Sequence, residues 1–529
     1  MLTPHTMARA TALTISGLAL VAGPVVAQHH APHAREESLG QVDFHVSCEP
    51  DAEASFQRAT ALLHHMMYAR AEREFEVLAE RHPGCAMAHW GIAMTQFQPL
   101  WPGHPDDDAL ERGRAAIGAA RERGLATDRE QAYVAALDAF YGDPAADGPT
   151  RLRSFDRAMA DLHQRFPDDL DAAAFHALAL LATAAGADDP AGQRRRAANV
   201  LATVHDRSPT HPGAIHYAIH AHDVDGLAEG GVRYASAYGE IAPEVPHALH
   251  MPSHIHVRLG NWDEVIRWNE ESAAAALNHP AGDHTSHHYP HALDYLVYAH
   301  LQHGDEEAAM AVLEELRTRT DYQPTFISGY ALAAIPARIA VERRAWDEAA
   351  TLSVREPATF PWDRFPGAEA MTHYARGLGS ARTGDLAGAR EALERLDALK
   401  ANAARAGDTY WANQIEVQRL SLAAWMANAA GHAEHAVRDM RAAADLAGTM
   451  EKDPVTPGDL QPPYELLGDL LLDLGRPDEA LRAYETSLET WPARRNSLSG
   501  AKRAAEAAGA TDRAASYDRA LAELRAGGR

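Results

Sequence analysis

Two stretches of the chain match when one is slid 34 residues along the other, and this period constrains the fold more than any other feature. HPGAIHYAIHAHD runs from His211 to Asp223 and HALHMPSHIH from His247 to His256. On that offset Pro209 meets Pro243, His216 meets His250, His220 meets His254 and His222 meets His256. A period in this range marks an array of small supersecondary units, each burying its apolar face only against its neighbours. Within each stretch the four-residue spacing stacks His216 with His220, and His250 with His254, on one side of a helix.

From Asp51 onward nearly everything reads as helix: Ala and Leu dominate, apolar residues recur at three and four, and Gly or Pro interrupts at short intervals. No stretch alternates with a period of two. Ser55 to Arg81 reads as two helices broken near Met67 and closing at Pro83. Near the C-terminus Tyr464, Leu467, Gly468, Ala480, Tyr484 and Pro492 take the spacings of a helix-turn-helix unit with Gly475 and Pro477 in its turn. The same turn grammar recurs after Gly260, Gly304, Arg344 and Gly384. This pattern resembles the tetratricopeptide repeat (TPR), and the resemblance implies an all-α, right-handed superhelix (α-solenoid) whose first helices line a concave face. The phrases LGQVDFHVSC, CAMAHWGIAM, HMPSHI and HALDYLVYAHLQ also resemble an uncharacterised group of exported bacterial TPR proteins. That likeness implies fold and export and assigns no activity.

The first 27 residues predict a signal peptide. Arg9 supplies the positive end, Ala10 to Val26 is apolar and uncharged, and Val25-Val26-Ala27 offers small residues for cleavage after Ala27. Retained, the run would be an anchor, for which it is short and carries Pro24. Cleavage leaves no membrane span and places the protein in the periplasm or outside the cell. Residues 28–50 form a polar N-terminal segment, and a new terminus Gln28-His29-His30 could join its amine to an imidazole around Cu(II) or Ni(II). Residues 51–208 then read as N-terminal helical repeats, 209–303 as the histidine-rich centre, and 304–529 as C-terminal TPR-like repeats. The two cysteines, Cys48 and Cys85, form a disulfide in an oxidising compartment, worth about 4 kcal/mol by loop entropy; as free thiols they would be buried core.

Histidine enrichment is regional: 16 of 31 lie between His205 and His303. The net charge of −25 argues against nucleic-acid binding, which needs a basic patch. Imidazole is the commonest metal ligand, and two pairs on adjacent first helices predict one site formed by His216, His220, His250 and His254 for Zn, Cu or Fe. Asp223, Asp225 and Asp294 are candidate carboxylates beside it. His222 and His256, about 200° further round the helix, pack between units. An insert of about ten residues between the units that end at Gly260 and Gly304, holding four of His279, His284, His287, His288 and His291, adds His288 and His291 as the preferred further ligands and opens the way to a second metal or a lid. Trp101, in QPLWPGHP, is the tryptophan to watch, and His64-His65 read as packing and surface. Three readings of the histidines compete: a metal site, a polar core copied by duplication, and an anion-binding or pH-sensing groove. Function follows the same division: a metal-binding exported superhelix, an adaptor gripping a peptide or partner protein in its concave groove, or a metal-dependent oxidase or hydrolase. Neither a phosphate loop nor a GxSxG elbow is present.

Overall fold

Helix starts and stops follow the local chemistry. Proline occupies the first turn of the helices Pro212–His222, Pro246–His250 and Pro252–Leu259, where its missing N–H costs nothing. His211 caps the first of these, its Nδ1 accepting from the Ala214 N–H at 3.2 Å. Gly260 and Gly304 end Pro252–Leu259 and His288–His303 in the left-handed conformation, at φ 69° and 82°. Short connections force consecutive helices to run antiparallel, and each packs on the next along the chain.

The computed structural model describes residues 37–101 and 105–527. Among them the fold is an all-α, TPR-like stack of helix hairpins with only isolated bridges, Ala281 to His284 and Thr285 to Tyr322. The break anticipated near Met67 is real: Glu53–His64 and Tyr68–Arg81 are separate helices, with Met66 at φ 55° between them. The signal peptide, its cleavage after Ala27 and the Gln28-His29-His30 terminus lie outside the described residues. No helix among the described residues is long and apolar enough to cross a membrane. Cys48 and Cys85 are disulfide-bonded, their Cα atoms 4.8 Å apart.

The apolar interior falls into two large bodies. One gathers Phe44, Phe56, Trp90, Tyr133, Tyr217 and Ile255, the other Tyr289, Leu296, Tyr330, Leu378, Leu422 and Tyr484. The histidine-rich helices lie where the two meet.

Contacts along this stack go beyond nearest neighbours. The segment before the first helix docks on the central repeats, where Gln41 N–H donates to Thr210 O at 2.9 Å and the Ser38 hydroxyl to Ile241 O at 2.8 Å. His65 bridges Leu39 O and the Tyr238 hydroxyl. From the other end, Trp262 Nε1 donates to Ala493 O, Tyr295 to Thr456 O, and the buried Arg338 to both Asp294 and Gly458 O. Segments from both sides of the sequence therefore pack on the central helices.

Gly40 is the tightest point of the N-terminal strap. Its φ is +74°, and a Cβ there would lie 2.4 Å from the Thr210 carbonyl oxygen. Gly40→Ala should destabilise the protein by about 1–3 kcal/mol, read as a lower urea midpoint, with earlier hydrogen exchange at Gln41.

Candidate metal centre

Three successive helix layers deliver imidazoles to one interior region. Pro212–His222 brings His216 and His220; the helix broken at Pro252 brings His247, His250 and His254; His288–His303 brings His291. His216, His250, His254 and His291 each expose 4 % of their surface or less. The four predicted ligands do not converge on one point. Candidate ligand atoms lie within 4.8 Å of one another in two trios, His216 with His220 and His247, and His250 with His254 and His291. The reason is register along the helices: across the same helix pair it is His247 whose Nε2 comes within 3.1 Å of His216 Nε2, while the His220 and His254 rings stay 6.1 Å apart, and the following helix reaches His250 and His254 with His291.

Hydrogen bonding fixes which ring nitrogen carries the proton in three of these residues. His216 Nδ1 lies 2.6 Å from His64 O, a backbone carbonyl that can only accept, so Nδ1 donates. Asn269 gives its amide N–H to Val265 O at 2.7 Å, which turns its oxygen toward His250 Nδ1, also at 2.7 Å; that nitrogen therefore donates too. His254 Nδ1 donates to Asp223 Oδ2 at 2.8 Å. Asp223 is a carboxylate: burial pulls its pKa upward, but Lys452 and Arg258 outweigh this and hold it well below its ordinary value.

With Nδ1 protonated, Nε2 is a bare lone pair. His250 Nε2 and His254 Nε2 face each other at 3.0 Å, a contact that repels unless a cation lies between them. A proton would require an imidazolium, and burial pushes both rings below their ordinary pKa, His250 well below. A metal ion meets the requirement. Zn–N bonds of about 2.0–2.1 Å put two ligand nitrogens about 3.3 Å apart in a tetrahedron and about 2.9 Å apart in an octahedron, and the observed contact falls between. The outward Nδ1–H bonds to a carbonyl, an amide and a carboxylate are the orienting contacts that metal-bound histidines usually make.

The second trio has a similar form. His216 Nε2 is 3.2 Å from His220 Nε2 and 3.1 Å from His247 Nε2. His247 Nδ1 has no protein partner, so its tautomer is free to present either nitrogen. Burial lowers all three pKa values, that of His220 to about 3.

The same test gives the opposite answer for a third group, His64, Asp171 and His211. His64 Nε2 and His211 Nε2 both lie on Asp171 Oδ1, at 2.9 and 3.3 Å, His64 Nδ1 meets the Tyr217 hydroxyl, and His211 Nδ1 takes the Ala214 N–H. Every nitrogen there has a complementary partner, so this group is a polar core. It also corrects the surface half of the His64-His65 reading, since both rings are fully buried.

Several other residues find definite places. Asp223 orients His254, and Asp225 pairs with Arg258 without touching a histidine. Asp294 is bound by Arg338 at 3.2 Å. His288 stands outside both trios, its ring 5.4 Å from that of His247. His222 and His256 make their contacts within their own hairpins, not between units as expected: His222 against Ala218 O and the Tyr234 ring, and His256 beside Asn261. His247 was missed because the 34-residue match pairs it with Gly213. The signal was still in the sequence, since His247, His250 and His254 sit at i, i+3 and i+7 on one helical face.

No family model matches the chain, and no curated protein does. Among solved structures it is similar to the human IFIT1 dimer with m7Gppp-AAAA, at a TM-score of 0.37 and 11 % identity, over 83 % of this chain and 90 % of that one.

Two outcomes follow from this geometry. Asp223→Asn keeps the shape but removes the charge behind His254, and should weaken metal binding about 10- to 100-fold in competition with a chromogenic chelator. In metal-free protein, burial holds the histidines neutral, His220 down to about 3 and His287 to about 4, whereas the unfolded chain protonates them near pH 6.5. The unfolded state then binds more protons between those limits, so stability is full above pH 6.5 and falls as pH drops toward 4, by up to about 1.4 kcal/mol per pH unit for each ring. Urea midpoints measured from pH 8 to 4 should show that decline, and bound metal should flatten it.

Proposed function

We propose that this chain is a metal-binding TPR-like protein with two neighbouring histidine centres, His250, His254 and His291 with Asp223 behind them, and His216, His220 and His247. The observation that carries the reading is the pair of unprotonated Nε2 atoms of His250 and His254 facing each other at 3.0 Å in a buried interior. A polar core would have matched donors to acceptors, as His64, Asp171 and His211 do.

Three imidazoles suit Zn, Cu or Fe and leave at least one coordination position open. An ion held there supplies Lewis acidity or redox chemistry, which favours the metal-dependent oxidase or hydrolase over a passive store. The chain's own part is to orient the rings through His64 O, Asn269 and Asp223 and to exclude bulk water. An adaptor would have to bind its peptide on another face, because these histidines are buried. The Cys48–Cys85 bond supports an exported, oxidising setting for the protein.

Elemental analysis of protein purified without a polyhistidine tag, loaded with metal and desalted, should find between one and two equivalents. A value under about 0.2 would remove the metal reading. His250→Ala and His216→Ala should each lower the content, while His222→Ala leaves it at the wild-type level; equal loss in all three would point to general unfolding.

A further inference from the structure

The rings of the two histidine trios touch each other. His220 lies 6.1 Å from His254 and His247 lies 6.4 Å from His250, centroid to centroid, which is the range of aromatic contact. Rings this close leave no room for another side chain between them. An ion in one trio and an ion in the other would therefore feel each other's charge across a buried interior, where Coulomb forces are weakly screened.

The charges around the six rings are the second constraint. Among the described residues Asp223 is the one carboxylate that touches any of the six, through His254, and it also meets Arg258 at 2.9 Å and Lys452 at 3.4 Å. Asp225 is engaged by the same Arg258 and Asp294 by Arg338, while the Asp453 carboxylate accepts from the Val455 N–H. These four carboxylates, set against Lys452, Arg258 and Arg338, leave one net negative charge around six neutral imidazoles. Two divalent ions would place four positive charges against it, and buried charge without a counter-charge is strongly unfavourable. Two monovalent ions bring half that charge, and their mutual repulsion is a quarter as large. Copper is the metal suited to imidazole that has a stable monovalent state.

We propose that the two trios form one charge-coupled centre, which takes a pair of Cu(I) ions or a single divalent ion and resists a second divalent ion. The inference rests on the metal reading and adds to it the charge of the occupant. His216, His220 and His247 serve one Cu(I), and His250, His254 and His291 serve the other. Neutral imidazoles and a nearly balanced set of surrounding charges suit that pair, whereas two divalent ions would call for carboxylate ligands that neither trio contains.

Stepwise dissociation constants of the full chain test this, measured anaerobically for Cu(I) and separately for Zn(II) in competition with chromogenic chelators. Two Cu(I) should bind with steps within about 100-fold of each other, whereas the second Zn(II) should bind more than about 1,000-fold more weakly than the first. Because the trios are not identical, single-trio variants isolate the coupling: His250→Ala and His216→Ala should each bind one Zn(II) at least about 100-fold more tightly than the wild type binds its second. His291→Ala and His247→Ala disable the same two trios and replace either variant if it fails to fold. A wild-type second step equal to that of the weaker variant would show independent trios and overturn the inference while leaving the metal reading intact. A second Cu(I) step penalised as strongly as that of Zn(II) would overturn it in the same way. Failure of every ion to bind any of these proteins would remove both readings.

Discussion

The structure turns on the confinement of unprotonated imidazole nitrogens between two apolar bodies. Burial alone would favour replacing these rings with leucine or phenylalanine, because an unmatched polar atom in a dry interior is destabilising. What makes histidine tolerable is that one nitrogen of each key ring is already engaged outward, by His64 O, Asn269 or Asp223. The other nitrogen is left inward, where a cation would satisfy it. The surrounding charges agree with this division. Lys452 and Arg258 keep Asp223 ionised, so the negative charge stands one ring behind the proposed ion.

Closure of the stack serves the same end. An open solenoid would leave a groove wet, with histidines free to titrate near pH 6.5. Here the His64 end of the first helix lies on Pro212–His222, and Lys452 to Gly458 returns from the C-terminal half onto Asp223, Tyr295 and Arg338. Buried ion pairs such as Arg338 with Asp294 and Arg494 with Glu465 hold that return path. They are better understood as devices that select one docking geometry than as a large source of stability. The cost of the arrangement is acid sensitivity, since every neutral buried imidazole gives protons a reason to unfold the chain.

Much of this was legible beforehand because helices write themselves in local terms. Glycine at Gly260 and Gly304 marks helix ends by backbone chemistry that needs no distant partner. The i,i+4 pairs His216–His220 and His250–His254 are likewise local, and each pair does bring its Nε2 atoms together. The grouping into trios was not legible. His247 and His291 join from neighbouring layers, and the position of one helix against the next depends on side-chain packing that no periodicity encodes. Asp294 illustrates the limit: it lies one turn from His291, yet Arg338 from a later helix claims it.

By itself the sequence determined an all-α repeat array, the turns at Gly260 and Gly304 and the concentration of paired histidines in its centre, because period and turn residues act within a few positions. Only the tertiary structure decided that those histidines divide into two trios, which nitrogen of His216, His250 and His254 is bare, and that segments far apart in sequence pack over them. Proton placement on a ring is set by what faces its far nitrogen, and for His216, His250 and His254 that partner is 152, 19 and 31 residues away.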